Sequence, residues 1–408
     1  MNSKRSSVGF NARERLSVFS LSGVFLLRML GIFIVLPMLS PFALSLLDGT
    51  PSAPVLVGLV MGAYPLAQTL MQVPLGWLSD QVGRKPVIIG GLGLFAFGSL
   101  LAGFAHSIWT LIPALFIQGL GAIGSSIMAL IADLTRPEVR TRAMAVIGAG
   151  IGVAFGLGMI GGSFLPSQFG PRSVFFLMVG LAVGAIGIIA VLVPTPDTIE
   201  HHGEVEFSLS RVGRVLKTLN LWRLNGGVFV LNGSLRALFT VLPLMLANVV
   251  AGPYIPWFYV GVLSATALIA FPIIFLSERK GKIGYALLLG MVGLVVGLGL
   301  LTLTEARFGT LLFAMILYFS GFSILEALLP SMLSREVSRR RRGTAMGLFH
   351  MSQYFGSFCG GLLGGLALKP GNSKQGVFVL VMILLVYCGD QLRRVLKTSK
   401  WSGENGAG

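Results

Sequence analysis

The sequence predicts an all-α membrane protein of twelve transmembrane helices, arranged as two parallel six-helix repeats with both termini cytoplasmic. Three observations predict it. Of 408 residues, 54% are hydrophobic and 11% charged, and the mean hydropathy is +0.84, which suits a bilayer solvent and not a soluble domain. Apolar runs of about twenty residues, long enough to cross the hydrocarbon core, recur twelve times. A polar loop sequence in the first half returns in the second.

The first six runs lie near 17–41, 55–77, 86–105, 109–131, 143–165 and 173–193, and the second six near 224–249, 256–276, 283–303, 310–332, 344–367 and 372–392, the last interrupted by Asp390. This divides the chain into an amino-terminal bundle (1–193), a linker (194–223), a carboxy-terminal bundle (224–392) and a cytoplasmic tail (393–408). The linker holds His201, His202, Glu204 and Glu206, then FSLSRVGRVLKTLNLW. Leu209, Val212, Leu216 and Leu219 share one helical face there, and Arg211, Arg214 and Lys217 can meet anionic lipid, so it is either an interfacial helix or a solvated one. The 55 glycines are spread through the apolar runs, as expected of helices that approach closely in lipid. Cys359 and Cys388 both sit in apolar runs and suggest packing residues, not a disulfide or metal site. The basic amino terminus leads into a run too long for a signal-peptide core, so the first span is expected to be retained.

Orientation follows from Lys and Arg, which short translocated loops exclude. Twenty-five of the 31 lie at the termini and in the even-numbered loops; Arg172, Arg307, Lys369 and Lys374 lie in odd-numbered loops, and Arg28 and Arg236 lie inside spans. Topology thus accounts for the net charge of +16. Neither that charge nor the run Arg339 to Arg342 indicates a nucleic-acid partner.

LSDQVGRK (78–85) after the second span returns as LSERKGKI (276–283) after the eighth, an offset of 198 residues, and Ala143-Met144 returns as Ala345-Met346 at an offset of 202. Parallel repeats of this kind place a substrate site between the halves near the midplane and suit rocking alternating access. Within the first copy, Gly76 permits close helix contact, and Asp80 is a carboxylate at a helix end beside Arg84 and Lys85, a placement that also suits a neighbouring helix amino terminus. The alternative reading is an ordinary topology-determining turn.

Gly76-Trp77-Leu78-Ser79-Asp80-Gln81-Val82-Gly83-Arg84-Lys85 resembles the loop 2–3 signature of the major facilitator superfamily. LRMLGIFIVLP (27–37), LEALLPSMLS (325–334) and GTAMGLFHMSQYFG (343–356) resemble its bacterial drug:proton antiporters, in particular the YajR-like group. The resemblance implies that Asp80 faces the start of span eleven near Gly343 and Thr344 and latches the cytoplasmic side, with Asp133 joining Arg84 in the same relay. It also implies a soluble carboxy-terminal domain in many members, which a sequence ending at Gly408 is not expected to carry. Gln81 stands where the family usually has Arg, which weakens the relay. Leu115 stands where the antiporters carry a span-four Arg linked to proton movement, three residues before Gln118-Gly119. Span five, GAGIGVAFGLGMIGG (148–162), keeps the antiporter glycine spacing and lacks its Pro.

An ionisable side chain inside a span costs several kcal/mol unless paired or cavity-facing. Arg28 and Arg236 lie about 17 Å from the cytoplasmic edge at 1.5 Å per residue. Glu326, nine residues before Arg335, is the one acid placed well inside a span. It is the candidate proton-coupling residue, or else a fixed partner of Arg236. Spans one, four, seven and ten line the cavity in the family resembled, which makes Arg28, Gln118 and Arg236 substrate-cavity candidates; His350 and Gln353 of span eleven, beside Tyr354, join them. A lone membrane His is also a common packing residue.

Export of amphiphilic compounds, import of a defined nutrient and a membrane enzyme or scaffold are the competing functions. No nucleophile elbow, metal-ligand spacing or phosphate-cradling loop supports the last. The resemblance implies a proton-driven exporter in the bacterial inner membrane, multi-pass and monomeric, whose partners are an amphiphilic small molecule, protons and lipid, with no cofactor or metal. Arg28, Arg236 and Glu326 sum to +1, which favours anionic or zwitterionic amphiphiles with Arg236 as contact. Alternatively, Arg236 and Glu326 cancel and Arg28 is tied up in its own half.

Overall fold

A computed structural model describes residues 9–47, 52–194, 219–303, 307–337, 342–369 and 373–398. The first half contains α1 (Ala12–Ile34), α2 (Leu36–Ser45), α3 (Ala53–Val82), α4 (Arg84–Gly103), α5 (Ile108–Leu120), α6 (Gly124–Asp133), α7 (Pro137–Phe169) and α8 (Arg172–Leu192). The second contains α9 (Leu219–Ala247), α10 (Ile255–Arg279), α11 (Ile283–Leu303), α12 (Phe308–Glu336), α13 (Arg342–Ala367) and α14 (Ser373–Thr398). Among the described residues, eleven helices are long and apolar enough to cross a membrane, counting α5–α6 as one. The 26-residue α13 is more polar, with His350 and Gln353, and packs against α3 and α9. The greater part of the expected linker helix (207–218), Arg339 to Arg341 and the tail from 399 lie outside the described residues.

Two spans read as single runs are interrupted. Span one breaks at Val35, where Pro37 at the second position of α2 has no N–H to continue the ladder. Span four breaks at Gly121–Ile123. A Cβ on Gly121 would collide with the carbonyl oxygen of Gly91, and one on Gly119 with that of Tyr64, so the glycines let span four lie directly on α3 and α4. Two further boundaries differ from expectation. α9 begins at Leu219, inside the expected linker, and α14 runs to Thr398, past an exposed Asp390–Arg394 pair at 2.8 Å.

α1 starts on a capping box: the Asn11 side chain accepts from Glu14 N–H, and Glu14 Oε2 accepts from Asn11 N–H, both at 2.8 Å. Arg136, before α7, donates to the same carboxylate through its main chain at 3.1 Å and its Nε at 2.7 Å. The first span is thereby tied to the loop between spans four and five.

The two halves meet where α3 packs on α13, α7 on α10 and α2 on α9. α13 carries two glycine rows. Gly356, Gly360 and Gly364 face Phe229, Gly233 and Thr240 of α9, within the second half. Gly361 and Gly365 face Gly58 and Gly62 of α3, across the halves; a Cβ on Gly361 would lie 2.9 Å from the Gly62 nitrogen. Ser40 Oγ of α2 donates to the Thr240 carbonyl of α9 at 2.6 Å. The cross-half contacts at Gly58, Gly62 and Ser40 lie at the end of the bundle remote from the chain termini, whereas the row on α9 begins at mid-helix, at Phe229. The repeat is visible in the backbone: Gly83 and Gly281, 198 residues apart in the two copies of the loop, both take positive φ, at 101° and 63°.

Candidate transport site

α9, α12 and α13 bring four polar side chains together inside the second half. Glu326 Oε1 accepts from Gln353 Nε2 at 2.8 Å, and Oε2 accepts from Asn232 Nδ2 at 3.2 Å. Gln353 Nε2 also reaches Asn232 Oδ1 at 3.3 Å, and Gln353 Oε1 lies 3.1 Å from His350 Nδ1. The carboxyl is thus held by neutral amides. The alternative of a fixed Arg236–Glu326 pair is not what the side chains form: among the described residues no ion pair joins them, and half-buried Arg236, one turn beyond Asn232 on α9, lies within electrostatic reach of Tyr64 instead.

Arg28 lies on α1 in the first half and is 2% exposed. Its Nη2 donates at 3.4 Å to the Gly121 carbonyl, which the break in span four frees from the helix ladder, and at 3.5 Å to Gln68 Oε1. Gln68 donates in turn to Tyr64 Oη at 2.9 Å. No carboxylate meets the guanidinium among the described residues. Across the halves, Tyr354 of α13 lies within electrostatic reach of both Arg28 and Glu326.

A chain of aromatic rings crosses between the halves. Phe33 of α1 meets Phe155 of α7 edge-on at 5.0 Å, Phe155 meets Phe319 of α12 at 5.9 Å, and Phe319 meets Phe239 of α9 at 6.0 Å. This chain of rings joins α1 and α7 of the first half to α12 and α9 of the second.

The other cavity candidate, Gln118, points elsewhere. Its amide donates to Ser99 Oγ at 2.7 Å and approaches Met178 sulfur at 3.9 Å, inside the first half. Leu115 is 1% exposed and packs in the core. Of the span-five glycines, Gly158, Gly161 and Gly162 press on Phe33, Ile34 and Pro37, whereas Gly148, Gly152 and Gly156 have nothing within 4 Å of a Cβ.

In loop 2–3, Arg84 Nη1 meets Asp80 Oδ1 at 3.0 Å, and its Nε bonds Asp133. Lys85 Nζ donates to the Val193 carbonyl at 2.8 Å and that of Ala190 at 3.3 Å, where α8 ends. The Asp80 carboxylate is turned to its own half and not toward Thr344, and its side chain is 45% exposed. Nothing lies within 4 Å of a Cβ at Gly76, so the close contact expected there is not made in this arrangement. Both findings fit a bundle whose halves touch at the opposite end.

Sequence reasoning missed Asn232, Tyr64, Gln68 and the break in span four. Asn232 was detectable as a polar residue one turn before Arg236, and the break as Gly119, Gly121 and Gly124 clustered at mid-span.

A family model described as Major Facilitator Superfamily matches residues 21–361. The chain is 38% identical over 370 residues to the inner membrane transport protein YajR of Escherichia coli (strain K12), covering 90% of this chain and 80% of that one. It is 26% identical over 380 residues to the multidrug resistance protein MdtH of Aeromonas salmonicida (strain A449), covering 89% and 93%. In three dimensions it resembles a bacterial homologue of the human lysosomal transporter Spinster in an inward-facing, occupied conformation, with TM-score 0.75, 14% identity and coverage of 96% and 98%. The matched stretch takes in both halves from the first span to the eleventh, and the chain belongs to the Major Facilitator Superfamily: it is a multi-pass membrane transporter, not an enzyme.

Proposed function

We propose that the protein is a proton-coupled exporter of amphiphilic small molecules in the bacterial inner membrane, with both termini cytoplasmic, working by rocking of its halves about a central site. The observation that carries this reading is the Glu326 cluster. A carboxyl held only by the amides of Asn232 and Gln353 is not locked in its charged form by a cation, so protonation and release can follow the changing access of the site. The relatives support the direction and the location, one being described as a multidrug resistance protein and another as an inner membrane transport protein. With the closed end outside, the arrangement is inward-facing.

Proteoliposomes with an imposed pH gradient test it. The wild type should move amphiphilic dyes down the coupled gradient, and Glu326→Gln should lose the pH response while still inserting. An unchanged pH response in Glu326→Gln would remove this residue from coupling.

A further inference from the structure

The break in span four sets two kinds of unsatisfied donor against each other. The first N–H groups of α6 have no intrahelical acceptor, and its N-cap residue, Ile123, supplies no side-chain oxygen. The hydroxyls of Ser125 and Ser126, in that same turn, are buried without a partner among the described residues. Into this turn comes Arg28: its Nη1 lies 3.6 Å from where a Cβ on Gly124 would stand. Arg28 Nε and Nη1 meet no acceptor at hydrogen-bond distance among the described residues, the two bonds of Nη2 are long, and the Tyr354 hydroxyl interacts with the guanidinium from the opposite half.

Apart from the Gly121 carbonyl and Gln68 Oε1, which Nη2 reaches only at long distance, the groups at this point donate or are positive. The amino terminus of a helix carries a partial positive charge, and a guanidinium adds a full one. The nearest acid deep in the bundle, Glu326, belongs to the other half and already has two amide partners. A buried cation without a counter-charge is costly in a membrane, whereas helix amino termini and guanidinium groups are the two protein features best matched to oxyanions. We propose that Arg28 and the first turn of α6 form a subsite for the oxyanion group of the transported molecule, a carboxylate, sulfonate or phosphate, with Tyr354 facing it from the opposite half. The proposal rests on the carrier reading above only in making the anion cargo. It also replaces Arg236 by Arg28 as the charged contact, because Arg28 is the cation whose Nε and Nη1 lack an acceptor beside a second donor set.

The test uses two probes of the same ring and opposite charge, naphthalene-1-sulfonate and 1-naphthylmethylammonium, on the purified full chain. Thermal stabilisation gives binding, and proteoliposome flux gives transport. The unmodified protein should bind the sulfonate at least about tenfold more tightly than the ammonium, a difference that should vanish in Arg28→Gln and largely return in Arg28→Lys, since one ammonium can replace charge though not two-point geometry. Equal binding of both probes by the wild type overturns the proposal without any variant, as does sulfonate binding unchanged in Arg28→Gln. Stabilisation by phosphatidylglycerol vesicles with none by the sulfonate overturns it in favour of a lipid headgroup. The two readings fail separately. Gradient-driven ammonium flux with no sulfonate binding leaves a carrier and removes the subsite, whereas Arg28-dependent sulfonate binding with no flux of either probe leaves the subsite and removes the carrier.

Discussion

The α3–α13 seam and the loop between α3 and α4 lie at opposite ends of the same helix, and they are held by different physics. At the seam, Gly58 and Gly62 meet Gly361 and Gly365 backbone against backbone, a dispersion contact that salt does not screen. In the loop, Arg84 joins Asp80 and Asp133 with side chains 26%, 45% and 36% exposed. Exposed pairs of this kind contribute about 0–1 kcal/mol and weaken with ionic strength. The seam is thus a contact between the halves made by shape, whereas the ion pairs of the loop lie within the first half and are weak and reversible.

The largest effect should come from breaking the shape side. Gly361→Leu puts a side chain where a Cβ alone would lie 2.9 Å from the Gly62 nitrogen. Overpacking costs about 1–3 kcal/mol, enough to depopulate the closed seam roughly five- to 150-fold. Transport should fall accordingly, and distances between spin labels on α3 and α13 should lengthen at that end. Gly360→Leu, on the neighbouring row facing Gly233 of α9, is the contrast. It damages packing inside one half and should lower yield and melting temperature instead. If both variants behave alike, the two rows do not separate a moving seam from a fixed one.

A smaller effect is expected at the electrostatic end. Asp80→Asn should slow transport by up to about fivefold with little change in thermal stability, because an exposed pair holds a state and not the fold. Raising ionic strength should slow the wild type in the same direction and leave the variant nearly insensitive. Full activity in Asp80→Asn would make the loop a topology-fixing turn.

What was legible in the sequence divides along the same line. The all-helical membrane fold and the repeated loop follow from hydropathy and self-similarity, both of which are local properties. Partners are not local. Gln118 and Gln353 look alike in sequence, each a lone amide in a span, yet one bonds Ser99 inside its own half and the other bonds Glu326. Rotation about the helix axis decides between them, and an apolar run with no clear face leaves that rotation unspecified. The same limit made Arg236 the natural partner of Glu326, when Asn232 one turn away takes the place. Glycine was legible as close packing but not as to which neighbour: α13 uses its two rows against two different helices.

The smallest and most exacting comparison is between the two copies of the repeated loop. Gly281 has φ of 63°, a left-handed cap after α10 in which the Lys282 N–H reaches back to the Ser277 carbonyl at 2.8 Å. Asn tolerates that conformation, so Gly281→Asn should lower stability by only a few tenths of a kcal/mol and Gly281→Ala by about 1. Gly83 has φ of 101° and ψ of 151°, a region essentially restricted to glycine, where any side chain costs about 1–3 kcal/mol. Gly83→Asn should therefore be as harmful as Gly83→Ala. It should also cost transport, because relieving the strain moves Arg84, the next residue, away from Asp80 and Asp133. Melting curves and flux measured on the four variants decide. Asn rescue at 281 and none at 83 would show that equivalent glycines in the two repeats have been bent to different uses, and rescue at both would return loop 2–3 to an ordinary turn.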